Sequence, residues 1–291
     1  MAEWPGAGPR CAVVRAPGSS NAQAFLHTQR LFFPSMNPFV ESRRSFVLRS
    51  CRLAAWYGVL QLGFRHRAWG SSAPPVLGSW ARELVRLASE VRAGRVSPQA
   101  WQHAIERLHG TMPVSELCNT LDVDQVLRTI KERKEKVAAI QDIRLPGVDQ
   151  TALFGFGRKI LVYRKGSCVP PHAHNHMVSA HLILRGQIRT RKFDRLEDEQ
   201  QALVIKPTVD DVFGPGHTDS MSDDENNVHW FAGVSDLAVT FDVPVWDVSP
   251  EKEYSYRGNG QIFVDPTVPS QPDGRIVAPI MSFAAAVRKF A

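Results

Sequence analysis

Gly166-Ser167-Cys168-Val169-Pro170-Pro171-His172-Ala173-His174-Asn175-His176-Met177-Val178-Ser179-Ala180-His181-Leu182-Ile183-Leu184-Arg185-Gly186 is the stretch from which the fold can be read. On extended backbone successive side chains alternate faces, so His172 and His174 project to one side. Both can reach a single ion at about 2.0–2.2 Å if a third ligand arrives from another strand. His229, in Asn227-Val228-His229-Trp230-Phe231, stands far downstream, where a returning strand could bring it. A lone histidine on a strand more often completes a hydrogen-bond network. A pair framed by glycines, with a third histidine downstream, is the rarer pattern that a metal site requires.

The surrounding residues read as short strands. Ile160-Leu161-Val162-Tyr163, His181-Leu182-Ile183-Leu184, Leu203-Val204-Ile205 and Leu237-Ala238-Val239-Thr240-Phe241 are apolar runs bounded by turn residues, the signature of an all-β domain. Gly186 falls between Val178–Arg185 and Gln187–Phe193 and reads as the reversal of a hairpin. If 178–184 is a strand with Ser179 inward, the two-residue period turns His181 inward as well, as a ligand, an acid/base or a network residue. His176 reads as part of a loop at the barrel mouth. Arg189 and Arg191 share one face and read as solvated, although an inward arginine would clamp a carboxylate. The run Asp219 to Asn227, with Asp223-Asp224-Glu225, lacks the spaced order of an EF-hand and reads as a solvated loop. Cys168 matches no zinc spacing and reads as a structural thiol.

Gly166, the His172-Ala173-His174 pair, Ser179 and Gly186 together resemble the first cupin motif, and Phe213-Gly214-Pro215-Gly216 through His229 resembles a stretched second one. The resemblance covers roughly residues 150–250. It implies a mainly β fold, the cupin double-stranded β-helix or jelly-roll barrel, here with an N-terminal α-helical segment. It implies metal ligation by His172, His174 and His229. Where that motif usually carries a Glu ligand this chain has Ser179, and three neutral imidazoles would leave an ion's charge of about +2 uncompensated and open to an anionic ligand. Among cupins this pattern is most similar to the cysteine dioxygenase-like group, which implies iron(II), with Zn, Mn or Ni as other divalent ions, and oxygen chemistry on a small anionic substrate such as a thiol. His181 is then the candidate catalytic acid/base. Ser179 falls where one branch of that group has a cysteine, and a serine cannot form that branch's thioether. A non-catalytic barrel that holds a small molecule or metal is the alternative reading.

Composition bounds the rest. The chain has 291 residues, 43% of them hydrophobic, enough for one sizeable core and a smaller one. No segment reaches the roughly eighteen apolar residues of a spanning helix, which suggests a soluble protein. Four scattered cysteines suggest no disulfide framework. The formal charge of +6 misleads: residues 1–73 carry nine Lys and Arg against two acids, a net +7, and the remaining 26 against 27 leave −1. A nucleic-acid binder would concentrate its basic residues on the folded domain, so no nucleic-acid partner is expected.

The basic leader, 36–73, has Arg43-Arg44, a weakly apolar Leu53–Phe64, Arg65-His66-Arg67 and small residues ending at Ala73. It resembles a twin-arginine export signal, which implies the matching translocase as a partner and a periplasmic location, the alternative being a cytoplasmic protein with a basic leader. Residues 1–35 fit no packed domain and read as an upstream extension, with Met36 as a start. In 76–145, Leu84, Leu87, Ala88 and Val91 recur at helical spacing and stop at Gly94. Ser97-Pro98 opens a second helix with Trp101, Ile105 and Leu108, and a third begins near Asp122 and runs into Lys131–Lys136 before Pro146-Gly147. These helices are expected to pack outside the barrel. In the tail, 251–291, Ser282 caps a terminal helix. A homodimer is left open, since nothing in the sequence decides the oligomeric state.

Overall fold

The computed structural model describes residues 75–131, 136–145, 148, 155–255 and 260–291, all within the compact unit Gly70–Ala291. The extension 1–35, the leader 36–73 and the Pro146-Gly147 break lie outside the described residues. Four helices come first: α1 (Pro75–Arg92), α2 (Pro98–Gly110), α3 (Val114–Thr120) and α4 (Val123–Thr129). The Ser97 Oγ accepts from the Ala100 N–H at 3.2 Å and Pro98 opens α2, so the predicted start of that helix is the observed one. The third predicted helix is different. Asp122 does cap it, through the Gln125 N–H at 3.2 Å, but it stops at Thr129 and Ile130 is already extended. It therefore ends before Lys131, and residues 132–135 lie outside the described set. The β-branched pair Thr129-Ile130 is poor helix material, which favours a stop at that point.

The strands are β1 (Ala139–Asp142), β2 (Lys159–Arg164), β3 (Cys168–Ala173), β4 (Met177–Arg185), β5 (Ile188–Asp198), β6 (Ala202–Phe213), β7 (Thr218–Met221), β8 (Val228–Gly233), β9 (Leu237–Asp242), β10 (Val245–Trp246), β11 (Ile262–Phe263) and β12 (Ile276–Pro279). They form two antiparallel sheets, one in the order β1-β2-β9-β4-β10 with β7 also on β4, the other β11-β3-β8-β5-β6-β12. Within them, β2-β9-β4-β7 faces β3-β8-β5-β6, and the chain crosses between sheets at almost every step. That is the jelly-roll order, so the expected mainly β double-stranded β-helix with an N-terminal helical segment is the fold.

Two features extend the sheets beyond the sequence reading. β1 lies inside the segment read as helical, where Ala138 and Ala139 alternate between barrel interior and helix layer on an edge strand paired with β2. The tail adds β11 beside β3 and β12 beside β6, which pairs edges that would otherwise be open. The terminal helix α5 (Phe283–Phe290) is capped by Ser282, whose Oγ accepts from Ala285 at 3.2 Å. Among the described residues no helix is long and apolar enough to cross a membrane.

Gly186 does not close a hairpin. It joins β4 to β5, which sit in opposite sheets, so it turns a corner of the barrel. Its φ is +68°, and an added Cβ would overlap the Leu237 carbonyl oxygen and stand 2.9 Å from the Ala238 Cα. Both the backbone and the space require glycine.

Strand β4 organises the packing. Val178, Ala180, Leu182 and Leu184 lie in one cluster with Trp80, Leu84, Trp101 and Ile105 of the helices, while Ile183 lies in the barrel's own cluster. Because both faces are covered, Leu182-Ile183-Leu184 reads as a continuous apolar run, while Val178-Ser179-Ala180-His181 alternates, its polar members facing the barrel interior. Each large apolar side chain so enclosed contributes about 1.5–3 kcal/mol. At this junction the His109 ring lies 6.0 Å from Trp80 and 6.2 Å from Phe241, with Nδ1 3.3 Å from the Thr218 hydroxyl. Burial pushes His109 down to about 3.

Gly186→Ala is expected to destabilise the fold by about 3 kcal/mol or more. Gly166→Ala, at φ +78° with nothing within 4 Å of an added Cβ, should cost only about 1–2 kcal/mol. Denaturant midpoints compare the two. Between pH 6.5 and about 3 the unfolded state protonates His109 and the folded state does not, so stability falls as pH falls, by up to about 1.4 kcal/mol per pH unit. His109→Gln should show a shallower acid slope in unfolding free energy than the wild type.

Candidate metal centre

The site begins with two prolines. Pro170 and Pro171 lack amide donors, and the ladder between β3 and β8 shifts register between Val169 and His172. The irregularity leaves the Pro170 carbonyl free to accept from His172 Nδ1 at 2.8 Å, and the Asn227 carbonyl accepts from His229 Nδ1 at 3.0 Å. Two backbone bonds thus fix the same tautomer on both rings, with Nδ1 protonated and the Nε2 lone pair presented.

His172 and His229 face each other across the ladder with ring centroids 4.2 Å apart. His174, just past the end of β3, lies 4.7 Å from His172 and 5.4 Å from His229. One ligand nitrogen from each of the three lies within 4.8 Å of the others. Burial pushes His172 down to about 4 and holds His174 and His229 well below the usual imidazole range. All three are therefore neutral at pH 7, the state in which a ring nitrogen can ligate. Three neutral, enclosed nitrogen donors converging from two strands and a turn suit one divalent ion.

The three histidines line a cavity of about 350 Å³ together with Ser179, His181, Asp242, Lys159 and Gln261. His181 does point inward. Its ring centroid is 6.3 Å from that of His229 and 4.6 Å from that of Phe231, Nε2 is 3.4 Å from Asp242 Oδ1, and the buried Nδ1 has no hydrogen-bond partner. Ser179, where a Glu ligand would stand, donates to Asp242 Oδ1 at 2.6 Å. The cavity's carboxylate therefore comes from β9, not from the histidine-bearing segment.

Asp242 and Gln261 were not singled out from the sequence. Asp242 had a signal: Ala238, Thr240 and Asp242 alternate along β9, and a continued period of two would have marked an interior acid. Gln261 had none. Its Nε2 lies 2.9 Å from His172 Nε2 because β11 pairs with β3.

The acidic run is not a solvated loop throughout. Asp219 is buried inside the barrel, where Thr190 donates to it at 2.7 Å and Lys192 lies at 3.2 Å; burial pushes its carboxyl up, and His217, Lys192 and Thr190 together outweigh that and hold it below the ordinary range. Asp223 is buried as well, accepting from the backbone N–H groups of His176 at 2.9 Å and Met177 at 3.4 Å, with burial raising its carboxyl. Only Asp224 and Glu225 are exposed in the acidic triplet. Asp223 is spent on the β3–β4 turn, where His176 has φ +56° and bonds the Ser249 carbonyl at 3.0 Å. Arg189 pairs with Asp210 at 2.7 and 2.9 Å, and Arg191 lies 4.0 Å over the Trp230 ring; neither lines the cavity. Cys168 is buried, its Sγ 3.2 Å from the Phe290 carbonyl, and burial pushes the thiol up to about 11, as suits a structural role.

No family model matches the sequence, and no curated protein matches it. Among solved structures the chain is similar to the cupin domain of Schizosaccharomyces pombe Cnp3, at 9% identity and a TM-score of 0.30 over 42% of this chain and 72% of that one. It is similar to a cupin superfamily protein from Desulfitobacterium hafniense, at 13% identity and a TM-score of 0.27 over 40% and 84%. It is also similar to KdgF from Halomonas sp., at 9% identity and a TM-score of 0.29 over 42% and 89%. At these values the likenesses add nothing to the strand order, which by itself makes this fold a jelly roll.

Proposed function

We propose that this chain is a metal-dependent cupin enzyme that binds iron(II) through His172, His174 and His229 and oxidises a small anionic substrate, such as a thiol, with oxygen. The observation that carries the reading is the convergence of three neutral imidazoles, two buried and one half-buried, with no carboxylate among them. A bound divalent ion would supply Lewis acidity and hold substrate and oxygen side by side.

The cavity's charge favours an anion. Asp242 offsets one unit of an ion's charge of about +2, and Lys159 in the cavity wall restores it, so the loaded site stays cationic. Ser179, donating at 2.6 Å, and His181, at 3.4 Å, tie the Asp242 carboxylate to β4. His181 stands beside Asp242 in the cavity wall, with Nε2 3.4 Å from Oδ1, and its imidazole is the acceptor for a proton shed by the substrate. The resulting imidazolium would be stabilised by Asp242. Leu161, Val169 and Met177 line the same cavity and limit the water around the reacting groups. The twin-arginine resemblance of 36–73 belongs to the same proposal: the enzyme would work outside the cytoplasm after export in folded, metal-loaded form. Mutating Arg43-Arg44 to Lys-Lys should trap it inside a host that has the translocase.

Elemental analysis of the purified full chain should find about one iron per chain, lost in His172→Ala and in His229→Ala, with oxygen uptake on a panel of thiols and small acids. Bound metal without uptake on any of them would turn the reading into a binding module, and metal untouched by both substitutions would overturn the site. His181→Gln should keep the iron and lower turnover by about 100-fold or more, with the loss concentrated in kcat.

A further inference from the structure

Gln261 Nε2 stands 2.9 Å from His172 Nε2, the nitrogen whose lone pair the Pro170 bond leaves for a ligand. Two things put it there. The ladder of β11 on β3 pairs Ile262 with Ala173 and Phe263 with His172, so Gln261 continues the register toward His174. Phe263 also packs on the His172 ring at 5.7 Å, which holds the strand end against the site. Gln261 is exposed as a residue and lines the cavity, with its amide at the His172 ring.

That amide has a donor and an acceptor on one arm. As found, its N–H satisfies a buried imidazole lone pair that would otherwise lack a partner. Half a turn about the terminal torsion puts Oε1 where Nε2 stands. Two ligands bound at right angles at about 2.1 Å from one ion are about 3.0 Å apart, whereas tetrahedral neighbours are about 3.4 Å apart. The observed separation matches the first case. We propose that the Gln261 amide is a fourth protein ligand, capping His172 through its N–H when no metal is bound and turning its oxygen to the ion on loading. This rests on the three-histidine reading and adds to it: His172, His174, His229 and Gln261 fill four positions of an octahedral-type site and leave two, an arrangement that iron, manganese or nickel adopts more readily than zinc.

The test uses cobalt(II), whose visible absorption reports coordination number, with affinity measured by chelator competition on the full chain. Gln261→Ala is expected to weaken cobalt binding by about tenfold or more and to change the visible spectrum, and Gln261→Glu to restore affinity. Cobalt lost in His172→Ala but bound by Gln261→Ala with unchanged or tighter affinity and an unchanged spectrum would overturn the fourth ligand while leaving the histidine site intact. No cobalt bound by the wild-type chain would overturn both.

Discussion

The enclosure of β4 on both faces is the constraint on which the site depends. Its even-numbered residues Val178, Ala180, Leu182 and Leu184 are sealed beneath the helices, which commits Ser179, His181 and Ile183 to the barrel interior. A slip of one residue would put four hydrophobes in the cavity and bury Ser179 and His181 under apolar helices, so register is set by the helix layer. The polar interior positions then need partners from across the barrel. Asp242, paired with His181 in the β4–β9 ladder, provides for both Ser179 and His181.

A second constraint is electrical. Three imidazoles with centroids 4.2–5.4 Å apart cannot all be charged in an enclosed site, and desolvation removes that conflict by keeping them neutral. The backbone carbonyls of Pro170 and Asn227 then set the tautomer on His172 and His229 without bringing in charge. The barrel tolerates carboxylates where they are answered: Asp219 by Lys192, Thr190 and His217, and Asp223 by two amides of the β3–β4 turn.

What the sequence made legible was local. His172 and His174 sit two residues apart on one segment, and the same period brings Ser179 and His181 inward, so their facing could be read directly. The apolar runs marked strands for the same reason. What it hid was pairing. Gly186 signalled a reversal, but whether the next strand returns to the same sheet or crosses to the other depends on partners far along the chain. Gln261 reaches His172 over 89 residues, and no periodicity near residue 261 announces it. The acidic run misled because composition counts carboxylates without saying which are pointed at backbone amides. The short β1 read as helix because propensity is weak beside an open sheet edge.

The placement of β11 against the histidine strand also has a kinetic consequence. A chain emerging from the ribosome exposes His172, His174 and His229 well before the segment that lies over them, and β12 closes the far edge of the same sheet later still. Contacts of such sequence separation form late and slowly. The strand that lies beside the histidine segment is thus made after all three imidazoles, so cargo can meet the ligands before that strand is in place, without any lid having to open.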